Sequence, residues 1–307
     1  MVSGTGGDLS LGEDMDLGSI GVWTFAFEGQ PIGTVREAAA ELDELGYGAV
    51  WFGEAFGRDA LGQASLLLHA TSRMAVATGI ARASLRDPLS MAAAHLTLTE
   101  AFPERFLLGL GGHRSPKQQP GMNGFIQPDP RPLETMRDYL EAMDKAPLQG
   151  FDVQPRRVLA ALGPQMLRLA AQMSWGAHPY FVPVEHTARA REILGPEPVL
   201  AVEQAVVLGS DRDVARAHVG GYLAALHQTN NLRRLGFTDA DFADGGSERL
   251  VDAITVVGDA DAVAKRVREH LDAGANHVCI QVLTADQGRI PLAEWRELAG
   301  LIRRPAA

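Results

Sequence analysis

Short apolar runs alternate with segments of helical period along almost the whole chain, and this alternation constrains the fold more than any single motif. "SIGVWTF" (19–25) leads into "TVREAAAELDELG", whose Val35, Ala38, Ala39 and Leu42 fall on one helical face. "GAVWFGE" (48–54) precedes an apolar helix around Leu61 to Thr71. "MAVATGIA" (74–81) precedes "RDPLSMAAAHLTLTEAF", with Asp87 set to cap the helix and Pro88 at its first position. "RFLLGLG" (105–111), "RRVLAAL" (156–162), "GAHPYFV" (176–182), "PVLAVEQAVVLG" (198–209) and "HVCIQVL" (277–283) complete the set. Such runs are nearly continuous in apolar residues, which suits parallel strands covered on both faces by crossover helices.

Eight strand and helix units within 307 residues predict a closed α/β TIM (β/α)8 barrel, because an open doubly wound sheet usually has fewer strands and a domain break. We expect one domain over 18–307, a flexible acidic tail over 1–17, and extra helical segments after strand seven. The chemistry of such a barrel lies at the C-terminal ends of its strands, so candidate residues are sought there.

Composition narrows the partners. Formal net charge is −10, pI is about 5.4, and no basic run exists, which argues against a nucleic-acid footprint. No apolar stretch approaches the ~20 residues of a membrane span. The single cysteine, Cys279, can form no internal disulfide and reads as a buried core thiol in a reduced, cytoplasmic protein.

Strand four ends in "GLGGHRSP". A dinucleotide fingerprint requires GxGxxG opening a helix after the first strand, but Arg114 stands at the third glycine position and Pro116 follows closely. Gly109, Gly111 and Gly112 are left with two readings, a clearing where a flat ligand approaches the backbone or an ordinary tight turn. Strand two ends in Glu54, an expensive place for a carboxylate without a partner; an ion pair with Arg58 or Arg82 competes with a functional role. Strand five runs into Gly163 and Pro164, a helix start whose free N–H groups suit a phosphate. Strand six brings His178 and Tyr180 toward the same rim. Glu54, His113 and His178 lack the paired spacing of a metal site, and no metal is expected.

With these pieces in place the chain resembles the bacterial luciferase-like family, and within it the branch that uses the deazaflavin coenzyme F420. The resemblance is carried by "ELGYGAVWFGEAFGRDAL", "VATGIARASLRDPLSMAAA", "AFPERFLLGLGGH", "ALGPQMLRLAAQMSWGAHPYFVPVEHTARAREILGP", "NNLRRLGF" and "VREHLDAGANHVCIQVL". It implies that Glu54 hydrogen-bonds the pyrimidine edge of the cofactor ring. It implies a bulge over Thr78, Gly79, Ile80 and Ala81 that supports the ring from behind, often through a non-proline cis peptide. Gly111, Gly112 and His113 would lie beside the ring, Ala161, Leu162 and Gly163 would hold the phosphate, and His178, Pro179 and Tyr180 would complete the rim.

Relatives often carry a histidine after the strand-two acid, where this chain has Ala55, so the candidate general acid or base is His113 or Glu54, or none, with solvent supplying the proton. The implied function is an F420-dependent oxidoreductase that moves a hydride between the deazaflavin and a small organic substrate, in a homodimer. The alternatives are an FMN-dependent flavin monooxygenase of the same fold and a non-catalytic F420-binding protein. The arginine-rich composition, with only Lys117, Lys145 and Lys265, favours the deazaflavin.

Overall fold

The computed structural model of the chain describes residues 15–55, 57–112, 114–115, 127–149, 152–286 and 288–302. Eight parallel strands close into a barrel: β1 (Ile20–Thr24), β2 (Ala49–Phe52), β3 (Ala75–Thr78), β4 (Phe106–Gly111), β5 (Arg157–Leu159), β6 (Gly176–Ala177), β7 (Val199–Leu208) and β8 (His277–Val282). Each pairs with the next, and β8 pairs with β1 through Ile280 opposite Val22.

The helices form where the apolar period places them. In α1 (Ile32–Leu45) the buried residues are Val35, Ala38, Ala39, Leu42 and Asp43. Helix α2 spans Ala60–Ala70, and α3 (Pro88–Ala101) starts on Asp87, whose side chain accepts from the Ser90 N–H at 3.0 Å. They are followed by α4 (Pro132–Asp144), α5 (Pro164–Met173), α6 (Val184–Leu194) and α7 (Arg212–Tyr222).

The expected additions after strand seven are α8 (Leu226–Arg234), α9 (Asp239–Phe242) and α10 (Glu248–Ile254), before α11 (Ala260–Asp272) and the closing α12 (Leu292–Leu298). An unexpected short strand, Thr255–Gly258, pairs in parallel with the outer half of β7. Together these segments bury a small second core of Phe181, Val207, Val219, Leu232, Leu250 and Ile254 outside the barrel.

The barrel interior holds two buried tryptophans, Trp23 and Trp51, among small residues such as Ala49, Ala75 and Ala77. Met15 and Leu17 are buried in that same cluster. Trp51 Nε1 donates to His277 Nε2 at 3.0 Å, and His277 Nδ1 donates to the Gly18 carbonyl at 2.8 Å, which seals the floor. Cys279 is fully buried and its thiol donates to the Val202 carbonyl, as a core residue does; burial drives its pKa far upward. Among the described residues no helix is long and apolar enough to cross a membrane.

Candidate active site

The C-terminal ends of β2 and β3 are tied together by Glu54. Its Oε1 accepts from the Ala60 N–H at 3.1 Å and from Arg86 Nη2 at 2.5 Å. Its Oε2 accepts from the Arg82 N–H at 2.8 Å and from Arg86 Nη1 at 2.9 Å. Four donors fill the roughly four lone-pair directions a carboxylate offers. The ion pair expected with Arg58 or Arg82 therefore forms with Arg86 instead. Arg82 contributes only its backbone, and the Arg58 guanidinium turns to the Phe27 and Gln30 carbonyls. Arg86 also reaches Asp59, the cap of α2, and these two carboxylates push its pKa still higher. Glu54 thus ties three segments of the barrel top together through four protein donors.

Strand three breaks after Thr78. The Gly79–Ile80 peptide is cis, at the bulge position implied by the resemblance, and the chain then re-pairs with β4 through Ala81 and Arg82. The bulge is anchored on all sides: Gly79 N–H donates to Phe52 O at 2.7 Å, Glu54 N–H to Ile80 O at 3.2 Å, Thr78 Oγ1 to Gly109 O at 2.7 Å and Trp23 Nε1 to Gly79 O at 3.2 Å.

This packing accounts for the glycines of β4. A Cβ on Gly109 would stand 1.8 Å from the Thr78 carbonyl oxygen, and one on Gly111 would stand 2.7 Å from Ala160 Cβ. Gly109 and Gly111 are therefore required by neighbouring protein, the bulge and strand five. Gly112 turns with φ +63° and its carbonyl accepts from Ser84 Oγ. His113 lies outside the described residues.

The helix start after β5 is open. Ala161 and Leu162 lead to Gly163, which caps α5 without a side-chain acceptor for its first N–H groups, while Leu162 O is taken by His186 Nε2 at 2.9 Å. Arg234, at the end of α8, places Nη1 3.6 Å from where a Gly163 Cβ would stand. A surface groove passes between Gly163, Pro164, Arg168 and Arg234. Neither arginine makes an ion pair among the described residues. Positive charge and unsatisfied N–H groups thus converge at one barrel edge, a chemistry that suits an anion.

The strand-six residues divide. His178 is 1% exposed and lies inside the barrel instead of at its rim. It stacks on Trp51 with ring centroids 4.4 Å apart and donates from Nδ1 to Ala201 O at 2.9 Å. Burial lowers its pKa to about 4, so the imidazole is neutral at physiological pH and its buried Nε2 has no partner. Pro179 offers its carbonyl to Glu203 N–H at 3.1 Å. Tyr180 does reach the upper barrel, half-buried, with its ring 4.9 Å from Trp23. The β-run expected over 176–182 pairs only at Gly176–Ala177, because Pro179 has no N–H to donate and Phe181 turns the chain at φ +60°.

The reading by strand ends missed Trp23, Glu203, Tyr222, Gln281 and Arg234. Glu203 alone left a signal, as an acid inside a ten-residue apolar strand. Among the described residues no three His, Cys, Asp or Glu side chains converge as a metal site would require.

The same barrel recurs in other proteins. The F420-dependent secondary alcohol dehydrogenase, solved with an F420–acetone adduct, superposes with a TM-score of 0.71 at 16% identity, over 94% of this chain and 99% of that one. The oxygenating constituent of 3,6-diketocamphane monooxygenase from Pseudomonas putida, solved with FMN, gives a TM-score of 0.64 at 18% identity, over 95% and 98%. In sequence, Rv3520c of Mycobacterium tuberculosis, which carries the name of a coenzyme F420-dependent oxidoreductase, is 27% identical over 90% of this chain and 97% of its own. A model of the family described as luciferase-like monooxygenase matches residues 15–277, and the chain belongs to that family.

Proposed function

We propose that this chain is an F420-dependent oxidoreductase that transfers a hydride between the deazaflavin and a small organic substrate. The observation that carries the reading is the cationic groove at Gly163, Pro164, Arg168 and Arg234. Deazaflavin F420 carries a phosphodiester and several carboxylates beyond its ring, whereas FMN ends in one phosphate. Two arginines without carboxylate partners beside an uncapped helix start fit the longer polyanion, and the name of the Mycobacterium tuberculosis relative supports the same cofactor.

When bound, F420 would supply the hydride chemistry, and the protein's part is to bind, orient and exclude water. Ala161, Leu162 and Gly163 would face the phosphate, and Thr78, Gly79, Ile80 and Ala81 would back the ring. Gly111, Gly112 and Tyr180 would lie at its margins. Glu54 would act as the frame that fixes the bulge, in place of a direct ring contact. A homodimer is part of this proposal, and sedimentation of the purified protein tests it.

Fluorescence titration with F420 and with FMN decides the cofactor. Tighter binding of F420 is expected, with Arg234→Ala weakening it by about tenfold or more, the loss of one charge-assisted contact. Tighter binding of FMN overturns the proposal in favour of a flavin monooxygenase. F420 that binds without turnover by any enone, ketone or imine points to a non-catalytic binding protein.

A further inference from the structure

Opposite the strand-three bulge, across the barrel, strands six, seven and eight enclose a polar network of which the cofactor assignment uses only Tyr180. Glu203 lies on the same face of β7 as Ala201, facing the interior beside Cys279 of β8, and is 1% exposed. Its Oε2 accepts from the Phe181 N–H at 2.9 Å, while Oε1 is buried without a partner. Phe181 holds the left-handed φ that aims this N–H, a conformation rare for so bulky a residue and found preferentially at functional sites.

Beside Glu203, the Tyr180 hydroxyl donates to Gln281 Oε1 at 2.8 Å, which makes the Tyr222 hydroxyl the donor in the 2.8 Å hydrogen bond between the two phenols. Tyr180 takes up both of its contacts inside the barrel. Tyr222, half-buried at the end of α7, is the outer member, and donating to a ligand would require its O–H to turn away from Tyr180. Trp23 connects this network to the bulge, touching Tyr180 with its ring and Gly79 O with Nε1.

With Glu54 saturated and Ala55 in place of a histidine, a hydride reaction in this barrel needs another proton source. We propose that Tyr222, beside Tyr180, donates the proton to the oxygen of a carbonyl substrate, and that Glu203 beneath the pair is the positioning residue that keeps it competent. The inference rests on the F420 reading above. In the reducing direction a hydride adds to the carbonyl carbon and the cofactor is oxidised by two electrons. The C=O π pair moves to oxygen, which takes the Tyr222 phenolic proton, and solvent reprotonates the half-buried phenolate.

The electrostatics agree with this assignment. Burial pushes the Glu203 carboxyl up to about 8, so it is uncharged at neutral pH. The groups facing it are Tyr180 from the strand-six loop, Tyr222 from α7 and Cys279 from β8, with His218 of α7 against the Tyr222 ring. No lysine or arginine acts on it among the described residues. Burial, chiefly, and then the nearby Glu203 charge raise both phenols, Tyr222 to about 12, so each stays protonated and available as a donor. Ionisation of Glu203 would place a negative charge beneath the forming oxyanion and oppose proton donation.

Two experiments test the proposal. Infrared titration of the cofactor-free protein should show a protonated carboxyl stretch that disappears with a midpoint about 8 and is absent in Glu203→Gln, a variant that still accepts from Phe181 N–H. A Glu203 already ionised at pH 6 overturns the role given to it, whether or not F420 binds. In single-turnover reduction of acetone, cyclohexanone and benzaldehyde by reduced F420, the rate should fall above about pH 8. Glu203→Gln should lose that limb, and Tyr222→Phe should slow turnover about 100-fold at unchanged F420 affinity. Wild-type rates in Tyr222→Phe, or no turnover of any probe with F420 bound, overturn the donor assignment. Failure to bind F420 at all overturns the cofactor reading, and the infrared result then judges Glu203 by itself.

Discussion

Replacing Arg86 by methionine tests whether Glu54 is a frame or a ligand contact. The substitution keeps an aliphatic stem and removes the guanidinium fork. Glu54 has a 4% exposed side chain and Arg86 a 12% exposed one, whereas Asp59, the other partner of Arg86, is 59% exposed. The Asp59 arm is therefore worth at most about 1 kcal/mol. Removing one partner of a buried pair costs about 3–5 kcal/mol, because the charge left behind stays desolvated. Glu54 would keep the Ala60 and Arg82 N–H groups, which places the expected loss near the lower end, about 3 kcal/mol. For a chain of this size that is a fall in Tm of roughly 6 °C, at about 2 °C per kcal/mol. Urea unfolding of Arg86→Met, Glu54→Gln and the double variant gives the coupling between the two residues. A coupling above about 1.5 kcal/mol, with F420 affinity of Glu54→Gln falling only in step with stability, is expected. Stability of Arg86→Met within about 0.5 kcal/mol of wild type would refute the frame, as would Glu54→Gln that folds normally but no longer binds cofactor.

Gly109→Ala should be poorly tolerated, because its Cβ would enter the Thr78 carbonyl at 1.8 Å; a loss of about 3 kcal/mol or more in urea unfolding is expected, and a neutral result would mean that the bulge yields easily. Stability should also carry the signature of Glu203. Its folded pKa of about 8 lies above the ordinary carboxylate value, so stability is full below about pH 4.3 and is lost as pH rises toward 8, by about 4–5 kcal/mol in total. Glu203→Gln should therefore gain on wild type across that window, and parallel urea curves at pH 5, 6.5 and 8 would contradict it. His95, His178, His218 and His277 act with the opposite sign: burial depresses each to about 4, so the stability present above pH ~6.5 declines as pH falls toward 4, readable as a drop in Tm.

The barrel was legible because parallel strands covered on both faces leave nearly continuous apolar runs, and because helix signals such as Asp87 with Pro88 act within a few residues of themselves. Strand six was overread: "GAHPYFV" has the composition of a strand, but one proline and one left-handed phenylalanine end the pairing after Ala177. The accessory strand Thr255–Gly258 escaped because its partner, the outer half of β7, projects beyond the barrel and cannot be inferred from local pattern. The β4 glycines show a more general limit. Sequence shows glycines there and leaves their reason open, and only the fold shows that strand five and the bulge stand where a side chain at Gly109 or Gly111 would go.

The two buried acids carry the lesson furthest. Both sit where desolvation penalises a carboxylate; the sequence reading singled out the one at the end of strand two and passed over the one within "VLAVEQAVVL". Their difference is a count of donors fixed by tertiary structure. Glu54 has four, one pair of them from an arginine 32 residues away, and its acceptor directions are taken by protein donors. Glu203 has one, from Phe181, and no cation. A carboxyl with one donor in an apolar surrounding lowers its energy by keeping its proton, and a carboxyl that keeps its proton near neutrality can respond to pH where a saturated one cannot. The search for proton chemistry in this barrel therefore extends from the rim acid of strand two to the interior acid of strand seven and the phenols above it.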